Sequence, residues 1–188
     1  NLPSELINLS AYYNASLFHY SAFHGGGENE DLRFLAESYD QAENTPFDLR
    51  GIIRLNTGLF PNGRTANEFP WLSSIGRKYP NEVTGISIAS KAKKIYFLMG
   101  SAFSTDMEDG AAAANFRINY NDGTTSDFPI IAKQDIFDWF TPQRSPGLME
   151  KELEPENIGW IGQNYNGSGR GLVKPIWINP YPEKEIAT

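Results

Sequence analysis

The stretch that most narrows the fold is "ANFRINYNDGTTSDFPII", residues 114–131. Phe116, Ile118 and Tyr120 alternate with Arg117 and Asn119, the period-two pattern of a strand with one buried and one wet face. Asn121, Asp122 and Gly123 follow, and Asp and Gly tolerate positive φ, so the spacing predicts a tight β-hairpin.

Other strand signals surround it. "FDLRGIIRL" (47–55) alternates, and "EVTGISIAS" (82–90) is a strand-like run. "KKIYFLMGSAF" (93–103) is the most apolar segment and reads as a central strand. "IGWIG" (158–162) and "GLVKPIWIN" (171–179) complete the set, with Pro175 predicting an edge position or a bulge. Helical spacing is scarce. Leu32, Leu35 and Ala36 fall at helical spacing within residues 29–40, which reads as a short helix or a covering loop, and residues 133–140 are a second helix candidate. Loops rich in Gly, Pro and Asn separate the runs at 56–81, 141–147 and 162–171, and no internal repeat occurs. Short strands with turn signals every ~8–12 residues indicate an all-β sandwich or barrel with one or two short helices.

Composition agrees. The 188 residues suit one domain with a real core, and 40% hydrophobic against 21% charged residues describes a folded chain. Aromatic residues reach 13%, which favours strands and stacking surfaces. Asp and Glu number 23 against 16 Lys and Arg, a net charge of −7. That balance opposes nucleic acid as a partner, and anionic polysaccharide too unless a local basic patch exists. The absence of cysteine removes disulfides, thiolate metal sites and cysteine nucleophiles. No apolar run approaches the ~18 residues of a membrane helix, so no membrane partner is expected. The chain opens at Asn1 without a methionine, and Glu185-Ile186 near its end reads as the start of a strand. The expectation is a single domain over residues 1–188 cut from a longer protein.

Several segments, in order, resemble a known family. They are "LINLSAYYNASL" (6–17), "TPFDLRGIIRL" (45–55), "VTGISIASKAKKIYFLMGSAF" (83–103), the hairpin with its Asp-Trp-aromatic stop (116–140), "WIGQN" (160–164) and "IWINPYPEKEI" (176–186). Together they resemble the galactose-binding-like jelly-roll β-sandwich found in bacterial exported multidomain proteins, often attached to glycoside hydrolases. "SIASK" departs from the family's more usual Gly-Arg-Lys turn, and the 56–81 loop is long. The resemblance implies a jelly-roll fold, an extracellular or periplasmic location, and a non-catalytic accessory role beside a neighbouring domain of the same chain. Fold alone does not define activity.

The chemistry-bearing residues point the same way. His19 and His24 in "FHYSAFHGGGENE" are the only histidines. Their spacing is not the helical H-E-x-x-H, and the three glycines lack the G-K-[ST] ending of a phosphate loop. A surface loop or contact segment is the expected reading. Glycosidases need two carboxylates across the substrate. Asp106, Glu108, Asp109, Asp122, Asp127, Asp135 and Asp138 fall mostly in turns, the ordinary place for solvated acids. No G-x-S-x-G occurs. "STDMEDG" offers Asp106, Glu108 and Asp109 as hard oxygen ligands for a structural Ca²⁺, without EF-hand spacing; no other cofactor is expected.

Sugar recognition uses an exposed ring plus a few polar side chains. Trp71 lies in the long loop, and Tyr165 lies in "QNYNGSGR" beside Asn164, Asn166 and Arg170. These five are the expected ligand-binding residues, with a polysaccharide or glycan as partner. Trp139, Trp160 and Trp177 are expected in the core. Two other functions stay open: a purely structural domain packed against a catalytic neighbour, and a glycoside hydrolase or lyase in its own right.

Overall fold

In the computed structural model of the chain, residues 6–18, 31–40, 44–55, 79–102, 104 and 107–188 are described. Regular structure among them is mostly short strands, with a few short helices: α1 (Arg33–Ser38), β1 (Lys94–Tyr96), β2 (Ala112–Asn119), β3 (Thr125–Ile131), α2 (Thr141–Arg144), α3 (Leu148–Glu152), β4 (Ile158–Gln163), β5 (Gly169–Val173) and β6 (Ile176–Ile178). The strands pair as β1 with β6, β2 with β3 and β4 with β5. The described residues therefore form an all-β arrangement of antiparallel sheets. The chain divides into two compact units, Asn1–Val83 with Gly162–Arg170, and Thr84–Ile161 with Gly171–Thr188.

The second unit is built on the β2–β3 hairpin. Phe116 faces Phe128, Arg117 faces Asp127 and Ile118 faces Ser126 across the ladder. The alternation thus places Ile118, Tyr120 and Ile130 inside, and Arg117 outside, where it pairs with Asp127 at 2.8 Å. At the turn Gly123 takes φ 83°, and the Thr124 N–H and hydroxyl both donate to Asp122 Oδ1. Lys184 closes the turn from outside, 2.7 Å from Asp122. Ile130, Ile136, Phe137, Met149, Leu153 and Val173 form one buried cluster. The Phe97 ring stacks on Phe116 at 4.0 Å.

Of the run expected as a central strand over 93–103, residues 93–99 lie beside residues 173–179, with a ladder of only three residues. β1 pairs with β6 from Lys94 opposite Ile178 to Tyr96 opposite Ile176, and Met99 bridges Val173. Pro175 falls between β5 and β6; without an N–H it cannot donate to a ladder, but its carbonyl accepts from Phe97 N. Ile186, fully buried, bridges both Ser90 and Tyr120, so the "EIAT" segment does pair as a strand would. Trp139, Trp160 and Trp177 are all buried.

Several sequence expectations differ from the structure. The strand expected over residues 82–90 reduces to the Ser90 bridge, because Gly85 (φ 74°) and Ala89 (φ 47°) turn the backbone out of the extended region. The helix expected over residues 133–140 is replaced by turns and bridges. Ile136 through Phe140 are all buried, which leaves no wet face for a helix, and Lys133 takes φ 63°. Helices α2 and α3 form instead just downstream, with Pro142 in the first turn of α2, where a missing N–H costs nothing.

Among the described residues of the first unit, specific side chains hold the backbone together. Ala15 and Ile52 form an antiparallel bridge, flanked by reciprocal bonds between the Asn14 side chain and the Arg54 backbone. The Phe47–Leu55 run predicted as a strand is thereby reduced to one bridge, at Ile52. Helix α1 buries Leu35, and the Tyr39 hydroxyl after it donates to Thr45 O at 2.7 Å. Arg50 grips Asp48 through two bonds of 2.6 and 2.7 Å, a pair that ties this loop together.

A Cβ at Gly159 would sit 2.5 Å from Leu98 Cδ1 and 2.8 Å from Val173 O. The backbone oxygen cannot swing away, so Gly159→Ala is expected to cost about 1–3 kcal/mol in urea unfolding. The pH response has a defined sign. Arg50 above all holds the Asp48 carboxyl below its usual range, and Lys184 does the same for Asp122. A carboxyl with a lowered folded pKa stabilises fully above its unfolded value of about 4, and that contribution is lost as pH falls below it. The melting temperature is expected to drop as pH falls from about 5 towards 2, and less steeply in Asp48→Asn.

Candidate functional site

The β4–β5 connection is a five-residue turn braced from within. Asn164 N–H donates to Ser168 O, and Gly167 N–H donates to Asn164 O. Gly167 holds φ 75°, a conformation suited to glycine. The Asn164 side chain is buried, and its Oδ1 accepts from the Asn166 and Ser168 N–H groups at 3.1 and 2.9 Å. Asn164 therefore shapes the turn rather than facing solvent. Asn166 and Tyr165 are exposed at the tip, Tyr165 by 57%.

Helix α1 supports the Tyr165 ring. Phe34 stacks on it nearly parallel, 9° apart with centroids at 6.4 Å, and the Arg33 guanidinium lies 4.9 Å from its centroid. Arg33 is itself clamped. Its Nε lies 3.0 and 2.9 Å from the two Asp31 oxygens, and its Nη2 lies 2.6 Å from Oδ2. The Asp31 side chain is fully buried, while 29% of the Arg33 side chain stays exposed. Those Asp31 bonds raise the guanidinium above its already high ordinary pKa. The result is an exposed aromatic ring on a fixed mount with a fixed donor beside it. Cation–π stacking of this kind contributes about 0.5–1 kcal/mol at exposed sites.

The five expected binding residues thus part company. Tyr165 and Asn166 are presented outward, Asn164 braces their turn, and Arg170 is fully buried with Nη1 donating to Gly169 O at 2.7 Å. Burial takes Asn164 and Arg170 out of direct reach of a ligand. Trp71 lies outside the described residues, as do His19, His24 and Asp106. Of the other two acids in that loop, Glu108 is exposed and Asp109 pairs with Lys133 at 2.7 Å. No group of three His, Asp or Glu suited to a metal ion occurs among the described residues.

Sequence reasoning missed Arg33 and Phe34 as partners of Tyr165. Their helix was legible, but a contact across more than a hundred residues was not. The local signal was Asp31-x-Arg33, a spacing that lets the two side chains meet at the start of α1.

In the second unit a cleft of about 280 Å³ has an apolar floor from Phe128, Leu153 and Ile176 and carboxylates from Asp135 and Glu156. Asp135 Oδ2 already accepts from Ile131 N at 2.8 Å. No helix among the described residues is long and apolar enough to cross a membrane.

Compared with known proteins, the chain matches no family model, no curated protein and no solved structure.

Replacing Asn164 by Ala removes the acceptor of two backbone N–H groups. Asn164→Ala is expected to cost about 1–3 kcal/mol of stability and to speed amide hydrogen exchange at Asn166 and Ser168. Exchange left at the wild-type rate would show that the side chain does not hold the turn.

Proposed function

We propose that the chain is a non-catalytic, carbohydrate-binding accessory domain of jelly-roll type, belonging to an exported polysaccharide-processing protein. The observation that carries this reading is Tyr165: a large aromatic side chain left 57% exposed on a turn whose geometry is locked by a buried side chain. An aromatic ring that served only packing would gain by turning inward, since burying one contributes about 1.5–3 kcal/mol. Held outward, it offers a flat apolar surface to the C–H face of a sugar, and Asn166 and Arg33 flank it with hydrogen-bonding groups. Fixing the ring in advance lowers the ordering cost of binding, which suits shallow recognition. Trp71 remains part of the proposal on its sequence position alone.

A second reading rests on the cleft carboxylates. Hydrolysis of a glycosidic bond asks one carboxyl to donate a proton and another to act as base or nucleophile, and Asp135 and Glu156 line one cleft. One oxygen of Asp135 is already engaged by the Ile131 N–H at 2.8 Å, so this carboxyl serves the backbone of the cleft wall. The binding reading is preferred for that reason.

Affinity-gel electrophoresis and glycan-array binding separate the two. Tyr165→Ala is expected to weaken retention by about tenfold, the loss of roughly 1.4 kcal/mol of stacking, with Trp71→Ala as the companion variant. Unchanged retention in both variants would eliminate this site. Polysaccharide turnover that disappears in both Asp135→Asn and Glu156→Gln would establish the hydrolase instead.

A further inference from the structure

The mount of Tyr165 also bears on which sugars it takes. Arg33 spends Nε and Nη2 on Asp31, and its Nη1 makes no hydrogen bond among the described residues. The donor beside the ring is thus part of an ion pair whose carboxylate is fully buried. Such a pair has no net charge, so it offers a directional N–H without a field that would gather anions. The other described cations of this unit are Arg50, Arg54 and Arg170. Arg50 is held by Asp48 at 2.6 Å, Arg54 lies over the Tyr79 ring at 4.7 Å, and Arg170 is buried. The chain as a whole carries −7. A uronate brought to Tyr165 would meet Arg33 already neutralised and would add a second carboxylate near Asp31, with the protein's own charge opposing its approach.

We infer that the Tyr165 platform selects neutral sugar units and rejects uronic acids, with Arg33 Nη1 donating to a hydroxyl or ring oxygen of the sugar stacked on the ring. This rests on the carbohydrate-binding reading above and narrows it to a substrate class. Asp31 is then the residue that sets specificity. It touches no ligand, and it acts by holding the guanidinium in place and cancelling its charge.

The test uses the full chain on a glycan array and in affinity gels. Each uronate polymer is paired with its carboxyl-reduced form, at NaCl of about 0.05 M and about 0.5 M. Expected are retention by neutral polymers only, little change with salt, and about tenfold weaker binding in Arg33→Gln and Tyr165→Ala. Asp31→Asn keeps the side-chain shape but uncovers the Arg33 charge. It is expected to shift the ratio of uronate to neutral binding towards uronate by about tenfold, a gain that a misfolded variant cannot produce. Preference of the wild-type chain for uronate polymers, with binding that falls steeply with salt, would overturn this inference and leave the carbohydrate-binding reading intact. The same holds if Arg33→Gln binds normally while Tyr165→Ala does not. No retention by any glycan would overturn both.

Discussion

The second unit depends on the inward face of the β2–β3 hairpin meeting the cluster of Ile136, Phe137, Met149, Leu153 and Val173. Its other ladders are too short to stand alone: β1 and β6 have three residues each, and further pairing runs through isolated bridges at Ser90, Met99, Ser101 and Tyr120. A two-stranded ribbon is marginal in water, so burial must supply what the ladders do not. Ile130 of β3 is fully buried within that cluster, and Ile186, equally buried, is bridged to both Ser90 and Tyr120. Close approach is part of the same design. Gly159 and Gly171 lie against Val173 and Met149 at distances that no side chain would allow.

The first unit is held differently. Its described residues hold one short helix and one bridge outside the β4–β5 end, and polar groups with defined partners tie them together. Asp31 and Asp48 are buried carboxylates, each grasped by an arginine two residues away through a bidentate contact. Removing one partner would strand a buried charge, which is far costlier than losing an exposed pair. Local pairs of this kind suit a loop-rich region, because the two partners are already close in the unfolded chain and little entropy is lost in joining them. The Tyr165 platform uses the same device. The ring is fixed by helix α1, the guanidinium by Asp31 and the turn by Asn164.

Elements with a strong local signal were legible. The alternation of residues 116–120 and the Asp-Gly turn specified the β2–β3 hairpin, and Leu32 and Leu35 marked α1. The apolar run at 82–90 misled, because periodicity carries no information about a residue such as Ala89 driven to positive φ. Residues 133–140 misled for a related reason. Helical spacing can be found in any apolar-rich stretch, and only the surrounding burial shows that a helix there would have no wet side. Within the site, loop composition pointed to Tyr165 and Asn166. It could not distinguish Asn164, which turns inward to brace the backbone, from its neighbours two residues on.

By itself, the sequence determined the strand-rich character of the chain, the position of its main turn and the aromatic loop on which recognition is proposed. Alternation, turn residues and composition are local properties, read within a few residues. The tertiary structure alone decided which polar side chains face water, that Arg170 is buried, and that Arg33 and Phe34 support the ring of Tyr165, far along the chain. Burial and ion pairing depend on what packs around a residue once the chain has closed its long loops. No local pattern encodes that arrangement, and it is the neutralised Arg33 beside Tyr165 that gives the platform its chemical character.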